Sequence, residues 1–372
     1  MTVLTASETT DAVVIGGGAI GCAIGLRLAQ RGLVVIVVER GEPGGEASSA
    51  AAGILGAQME SHGPGPFLSL QLVSRALHPA FAAELLELTR VDVRCRIEGV
   101  QELAFTEEEA AGLRARYLWQ KAAGLRVEWQ SAERPIGTLS AMICPDDGQV
   151  DNRKFSRSLH LAAERAGVKF LRAEALEIES SATQVSAVRI RDAQGERKIA
   201  TPIAVVAAGS WSALMAGARI APDSVRPVRG QMIALSVPEL ASSRVLSTAH
   251  GYAVPRGARV LMGATVEDTG FVKATTETGI SSLRALANRL ACIIPELEHA
   301  PILQQWSGLR PASRDGLPLI GKPDRAPAGT FVCTGHYRSG ILLTPVSAEL
   351  IRDAVLGEPT KIDLAPFRPD RF

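Results

Sequence analysis

The first apolar stretch, residues 11–39, reads DAVVIGGGAIGCAIGLRLAQRGLVVIVVE and changes its period as it goes. Residues 12–15 are continuously apolar, as suits a parallel strand covered on both faces. Ile20, Ile24 and Leu28 then recur at every fourth position and predict a helix over 19–30. Gly32 ends that helix, and residues 33–38 form a second buried strand with Glu39 at its C-terminal end.

Beyond Glu39, residues 41–58 are small and carry no period, which predicts a loop leading into a close-packed helix start. A Pro/Gly break at 62–66 precedes a helix over 67–90, with Leu72, Leu85 and Leu88 on its apolar side. Residues 100–105 read as a strand. Thr106 and Glu109 form a capping box for a helix to about 123, and 127–130 is a short strand. Arg134 and Pro135 mark a turn. Asp151 is placed to cap a helix to about 166, with Phe155, Leu159, Ala162 and Ala166 on one stripe and Gly167 as its stop. Strands follow at 168–171, 175–178, 185–191 and 203–207. Residues 226–237 and 252–262 read as antiparallel strands of a second domain, and 277–294 as a helix ended by Pro295. A Gly/Pro-rich segment covers 306–320, a strand 331–334 and a last helix 345–356.

At 372 residues the chain exceeds one small core and calls for about two domains. It is 46% apolar with a net charge of +1, so no basic excess exists to neutralise nucleic-acid phosphates. Cys22, Cys95, Cys144, Cys292 and Cys333 show no C-x-x-C spacing, and each reads as a small buried hydrophobe rather than a disulfide or zinc ligand. His62, His78, His160 and His299 have no metal-like spacing either. The longest apolar run is interrupted by glycines and too short to span a membrane, and residues 1–10 lack a basic leader region, so a cytoplasmic protein is expected.

Gly16, Gly18 and Gly21 form G-x-G-x-x-G between strand and helix. Gly16 permits the turn, Gly18 lets backbone approach a pyrophosphate, and Gly21 lets helix and strand pack closely. The helix start offers free N–H groups to phosphate. Glu39 follows Gly21 near the spacing at which a carboxylate accepts hydrogen bonds from a ribose. Dinucleotide binding is the expectation.

Several later motifs join this one: GGEASSAAAGILG, AVVAAGSWS, RPVRGQM, YAVPRGARVLMGATVEDTGF, WSGLRPASRDGLPLIG and GHYRSGILLTP. In this order the chain resembles the flavin-dependent amine oxidases of the D-amino acid oxidase group, and within it the branch that oxidises glycine to feed thiazole formation. The resemblance spans nearly the whole chain. It implies an α/β FAD-binding domain of Rossmann type plus an α+β substrate domain with an antiparallel sheet. Residues 1–85, 150–220 and 305–372 would form the first, discontinuous domain, and 86–149 and 221–304 the second.

The resemblance implies FAD as cofactor. Gly16, Gly18, Ala19, Ile20 and Gly21 would form the pyrophosphate turn, and Glu39 would hold the ribose with Arg40 beside it. Ala47, Ser48, Ala52, Gly53 and Ile54 would run along the flavin, and Ala175 would face the adenine. His336, Tyr337, Arg338, Ser339, Gly340, Ile341 and Leu342 would wrap the flavin ring. Related sarcosine oxidases attach flavin through a cysteine, and GLRPASRDG has none, so FAD is expected to be non-covalent.

For substrate, the resemblance gives the carboxylate to Arg310, with Arg338, Tyr252 and His250 in support. A guanidinium can grip a carboxylate with two parallel hydrogen bonds. The alternatives are an Arg310–Asp315 ion pair and a core role for Tyr252. Val266 and Ile54 stand where the group commonly has methionine, which bears on pocket volume. The implied reaction takes a small amino acid and dioxygen to an oxoacid, ammonia and hydrogen peroxide, in a homo-oligomer without metal. Sarcosine, D-proline or hydroxyproline oxidation, a dehydrogenase variant, a nicotinamide-dependent dehydrogenase and a non-enzymatic nucleotide-binding module are the competing readings.

Overall fold

A computed structural model describes residues 8–130, 137–240 and 244–372. Two sheets dominate it. The first has six strands in the order Leu319–Gly321, Thr330–Thr334, Ile203–Val206, Ala12–Ile15, Val35–Glu39 and Lys169–Arg172. All neighbours are parallel except the pair at the Leu319–Gly321 edge.

The continuous apolar character of these strands has a direct cause. Ala12, Val14, Val35, Val37 and Val205 point into one core, and Val13, Ile15, Ile36, Val38, Ala204 and Val206 into another. Alternate residues face opposite sides, and both sides are covered. On one side lie helices Ala19–Ala29, Pro66–Thr89, Asn152–Arg165 and Gly340–Leu356. On the other lies a four-stranded layer, which contributes Ile178, Val185, Val188, Ile190 and Ile199.

The second large sheet has eight strands, in the order Ile302–Ser313, Val225–Ser236, Arg259–Gly263, Gly251–Pro255, Val245–Thr248, Val100–Ala104, Ser140–Cys144 and Glu128–Gln130. It is antiparallel apart from the Val245–Thr248/Val100–Ala104 pair. Helix Glu277–Leu290 packs Leu283, Leu286, Ala287 and Leu290 against it.

Several expected elements change. Residues 306–320 do not stay irregular: most of them belong to the twelve-residue strand Ile302–Ser313, which pairs along its length with Val225–Ser236. Pro311 faces Pro227 in that pairing, so the two missing N–H donors share one rung. Residues 252–262 form two strands of a hairpin rather than one. Helix 277–294 stops at Leu290, and residues Pro295–Leu297 make a separate short turn. Strand Gly195–Ala200, with Glu196, Arg197 and Lys198 at its centre, gave no apolar run to read. Arg134 and Pro135 lie outside the described residues. Asp151 caps its helix by accepting from the Lys154 amide at 3.2 Å. Thr106 accepts from Glu109 N at 3.2 Å, while Glu109 reaches back to Phe105 N at 2.7 Å, one residue earlier than a capping box requires.

The last helix starts at Gly340, so Pro345 lies inside it. Proline has no N–H for the carbonyl four residues back and opens the ladder there. Helix Pro66–Thr89 bridges the next rung, where Val346 N donates to Ser74 Oγ at 3.4 Å instead of to Leu342 O. Ser74 donates its hydroxyl to Leu342 O at 2.6 Å, and His78 Nε2 lies 2.9 Å from the same oxygen.

Candidate active site

One cavity of about 390 Å3 runs between the two large sheets, and residues from both ends of the chain wall it. At its first end is the glycine turn. Gly16 has φ +108°, and a Cβ there would sit 2.5 Å from Ala207 O. A Cβ on Gly21 would come within 1.9 Å of Gly16 O, so Gly21 serves the packing of helix on strand and does not reach the wall. Gly16, Gly18, Ala19 and Ile20 line the cavity. The helix beginning at Ala19 has no acidic residue in its first turn, so its positive end stays free for an anion. Ala19 N donates to Ser48 Oγ at 2.9 Å, which ties the turn to the small-residue loop.

Glu39 is braced through both oxygens, Oε2 accepting from Gly17 N at 2.7 Å and Oε1 from Gly41 N at 2.8 Å. The braced carboxylate still has lone pairs for a ribose. Arg40 stacks 3.9 Å over the Trp211 ring. Ala175 lies at the same end.

Residues Ala47–Ala50 form one short helical turn along the cavity, with Ala52, Gly53 and Ile54 continuing the wall. Asn152, Trp306 and Arg256, none of them among the expected site residues, hold this segment. Asn152 Nδ2 donates to Ser48 O at 2.9 Å and Ser49 O at 3.0 Å. Trp306 Nε1 donates to Ala50 O at 3.0 Å. Arg256, buried in the hairpin turn, donates to Ala52 O at 2.8 Å and Val150 O at 3.0 Å. Burial lowers the Arg256 pKa to about 10, opposed by Asp151. Gly53 sits at φ +80°, where a Cβ would meet Val150 O at 2.1 Å.

The other end of the chain supplies His336 to Leu342, all seven on the wall. Tyr337 holds φ +47°, an uncommon conformation for a residue with a side chain, within the turn that starts the last helix. His336 is buried with Nε2 2.9 Å from Ser347 Oγ, and burial pushes its pKa down to about 3, so the ring is neutral. The first N–H groups of helix Gly340–Leu356 have no intrahelical acceptor and form part of this wall.

Arg310 and Arg338 share the cavity but not the same condition. Arg338, at the rim, is gripped by Glu60, with Nε and Nη2 2.9 Å from the carboxylate oxygens. That carboxylate holds the Arg338 pKa above its ordinary value. Arg310 makes one hydrogen bond among the described residues, from Nη1 to Thr265 O at 3.1 Å. The expected rival partner, Asp315, is taken by Arg371 at 2.7 Å. The Arg310 guanidinium lies flat on Gly230, where a Cβ would come within 2.1–2.2 Å of Nη2, Cζ and Nη1. Tyr252 lines the cavity beside Met232, its hydroxyl 3.5 Å from Sδ. His250 is not brought in. It is exposed, 3.2 Å from Glu109, and forms no part of the wall. Ile54 is a wall residue, whereas Val266 is exposed and does not line the cavity.

This geometry offers a phosphate-binding turn, a braced carboxylate, a groove of small residues and a flat cradle at the far helix start. A long dinucleotide with a planar ring system fits that set. The Arg310 guanidinium lies on the wall of the same cavity with donors beyond its one bond to Thr265 O, a fork of the shape a carboxylate accepts.

Comparison with known proteins agrees. A family model described as FAD dependent oxidoreductase, DAO, matches residues 11–354. The chain is 38% identical to glycine oxidase of Geobacillus kaustophilus strain HTA426, covering 96% of each chain. The crystal structure of glycine oxidase from Geobacillus kaustophilus superposes with a TM-score of 0.90 at 36% identity, over 98% of this chain and 100% of that one. The bifunctional protein ThiO/ThiG of Trichormus variabilis is 34% identical over 98% of this chain and 55% of its own length.

Proposed function

As the chain belongs to the DAO family of FAD-dependent oxidoreductases, we propose that it oxidises glycine or another small amino acid to the oxoacid, ammonia and hydrogen peroxide. FAD, when bound, supplies the two-electron acceptor that dioxygen regenerates. Supply of the glycine-derived imine for the thiazole of thiamine belongs to the same reading, and the bifunctional ThiO/ThiG relatives support it. A cytoplasmic location and a homo-oligomeric state are part of what we propose. Among the described residues no helix is long and apolar enough to cross a membrane.

The observation that carries the reading is a single uncompensated guanidinium, Arg310, in the cavity that also holds the G-x-G-x-x-G turn. Arg310 fixes the substrate carboxylate with two parallel hydrogen bonds and so fixes which Cα–H faces the ring. The Gly230 surface beneath it keeps the guanidinium plane level. Tyr252 offers a hydroxyl to the same carboxylate. Arg338 acts from the rim, its charge balanced by Glu60. Neutral His336 adds no charge, while the N–H groups at the start of helix Gly340–Leu356 favour electron density at that end of the ring. Ser48 and Asn152 keep the groove in place. FAD is held without a covalent bond: Cys333 is buried in strand Thr330–Thr334 away from the wall, with its thiol pushed up to about 12 by burial. The division of labour follows the two sheets, with residues of the parallel one serving the cofactor and residues of the antiparallel one serving the substrate.

The test is peroxide release from glycine, sarcosine, D-alanine and D-proline, with Arg310→Ala beside the parent protein. Arg310→Ala is expected to lose about 2–4 kcal/mol of carboxylate binding, read as a rise in KM of roughly thirtyfold or more. An Arg310→Ala protein with the parent KM for its best substrate removes the assignment.

A further inference from the structure

The one bond that aims Arg310 ends on a backbone carbonyl, and that carbonyl belongs to a residue held by a partly buried ionic cluster. Thr265 follows strand Arg259–Gly263. Its hydroxyl accepts from Gln231 N at 2.9 Å and donates to Glu267 Oε1. The same Glu267 oxygen accepts from Gln231 Nε2 at 2.6 Å, and Oε2 is paired with Arg229. Arg229 and Glu267 also exchange backbone bonds, 2.9 Å from Arg229 N and 3.0 Å from Glu267 N. Arg229 is only 5% exposed and sends its other nitrogen to Ala274 O at 2.7 Å.

One carboxylate therefore gathers a hydroxyl, an amide and a guanidinium, all within two residues of Thr265 or one of Gly230. These are the two backbone points that Arg310 touches. Pairing Glu267 with Arg229 also leaves Arg310 without a competing anion, which is what a carboxylate substrate needs. The hydrogen bonds hold the Glu267 pKa below the ordinary carboxylate value despite partial burial, so it is ionised at neutral pH.

We propose that Glu267 is a positioning residue for substrate: through Thr265 it fixes the direction of the Arg310 guanidinium, and so the affinity for the carboxylate of the amino acid. The proposal rests on Arg310 being the carboxylate anchor. Glu267 touches neither Arg310 by any described bond nor the cavity wall.

The experiment uses the FAD-loaded full chain. Glycine turnover gives KM and kcat, and titration with glycolate, a carboxylate without the amine, is read by the change in flavin absorbance. Glu267→Gln is expected to raise KM and the glycolate Kd about tenfold, with kcat within about twofold and flavin content unchanged. In an Arg310→Ala background the same substitution is expected to change the glycolate Kd less than about twofold, because residues acting through one another are not additive. A merely structural role would lower kcat and flavin content and would persist in that background. An FAD-loaded Glu267→Gln protein with unchanged KM overturns the proposal, as does an equal loss with Arg310 absent. If Arg310→Ala alone leaves KM and the glycolate Kd unaltered, the anchor itself is wrong, which is a different result. Should Glu267→Gln fail to retain FAD, Thr265→Val decides. It cuts the link at the hydroxyl, is expected to raise KM several-fold, and overturns the proposal if KM stays put.

Discussion

Gly230 and Gly308 face each other across the pair formed by Val225–Ser236 and Ile302–Ser313, and each makes room for a different neighbour. Gly308 admits Ala50, whose Cβ would lie 2.5 Å from an added one, and Gly230 admits the Arg310 guanidinium. Gly230→Ala is expected to keep the fold and the flavin, because its backbone is not left-handed, while tilting Arg310 off its seat. KM for glycine should rise about tenfold or more at near-constant kcat in the peroxide assay. An unchanged KM would mean the guanidinium does not need that surface. Arg310 stood out in the sequence through the resemblance, which gave the substrate carboxylate to it. Gly230 did not, since its purpose depends on a partner eighty positions away in a register no local pattern reveals. Asn152 and Arg256 were silent for the same reason: both act on backbone carbonyls of a segment a hundred or more residues distant. His250 shows the converse, a residue carried over from the resemblance that lies on the surface beside Glu109.

Among the elements, helix Gly340–Leu356 carries a proline where a helix start was expected, since proline favours the first turn. Its true start is set by the Gly340 turn, and the rung after the proline, Leu342 O to Val346 N, is bridged from outside by Ser74, with His78 on the same oxygen. Periodicity cannot show such a loan between helices. It carries a pH signature. Burial lowers the His78 pKa from 6.5 to about 4 and that of His336 to about 3. The unfolded chain then binds protons that the folded one refuses. Stability is full above about pH 6.5 and is lost as pH falls toward 4, at about 1.4 kcal/mol per unit per histidine. Melting temperature should drop between pH 7 and pH 5, and His78→Gln, which retains a donor for Leu342 O, should flatten part of that slope. An unaltered slope would exclude His78 as a source. Strand Ile302–Ser313 was hidden differently, because its Gly308 and Pro311 mimic a loop. Only pairing with Val225–Ser236 makes them a strand.

For the whole molecule, the parallel sheet was the most legible part. Its strands are apolar on both faces because both are covered, and that burial writes itself into the sequence as unbroken runs. The four-stranded covering layer was less so, as its outer faces are wet and its residues mixed. The cavity draws on Gly16 near one terminus and Leu342 near the other, with the antiparallel sheet between them in sequence. A ligand gripping all of these stabilises only the folded chain. Added FAD should therefore raise the melting temperature of stripped protein, by about 2.7 kcal/mol of stability at a hundredfold excess over Kd. No shift, together with a protein that stays colourless, would contradict the cofactor fit. The arrangement also bears on biosynthesis. While a ribosome still holds helix Gly340–Leu356, the last wall of the nucleotide cleft does not exist, so a nascent polypeptide without that helix lacks part of the coenzyme's seat. Its uptake thus reports that synthesis has passed Leu342, the last residue of the wall.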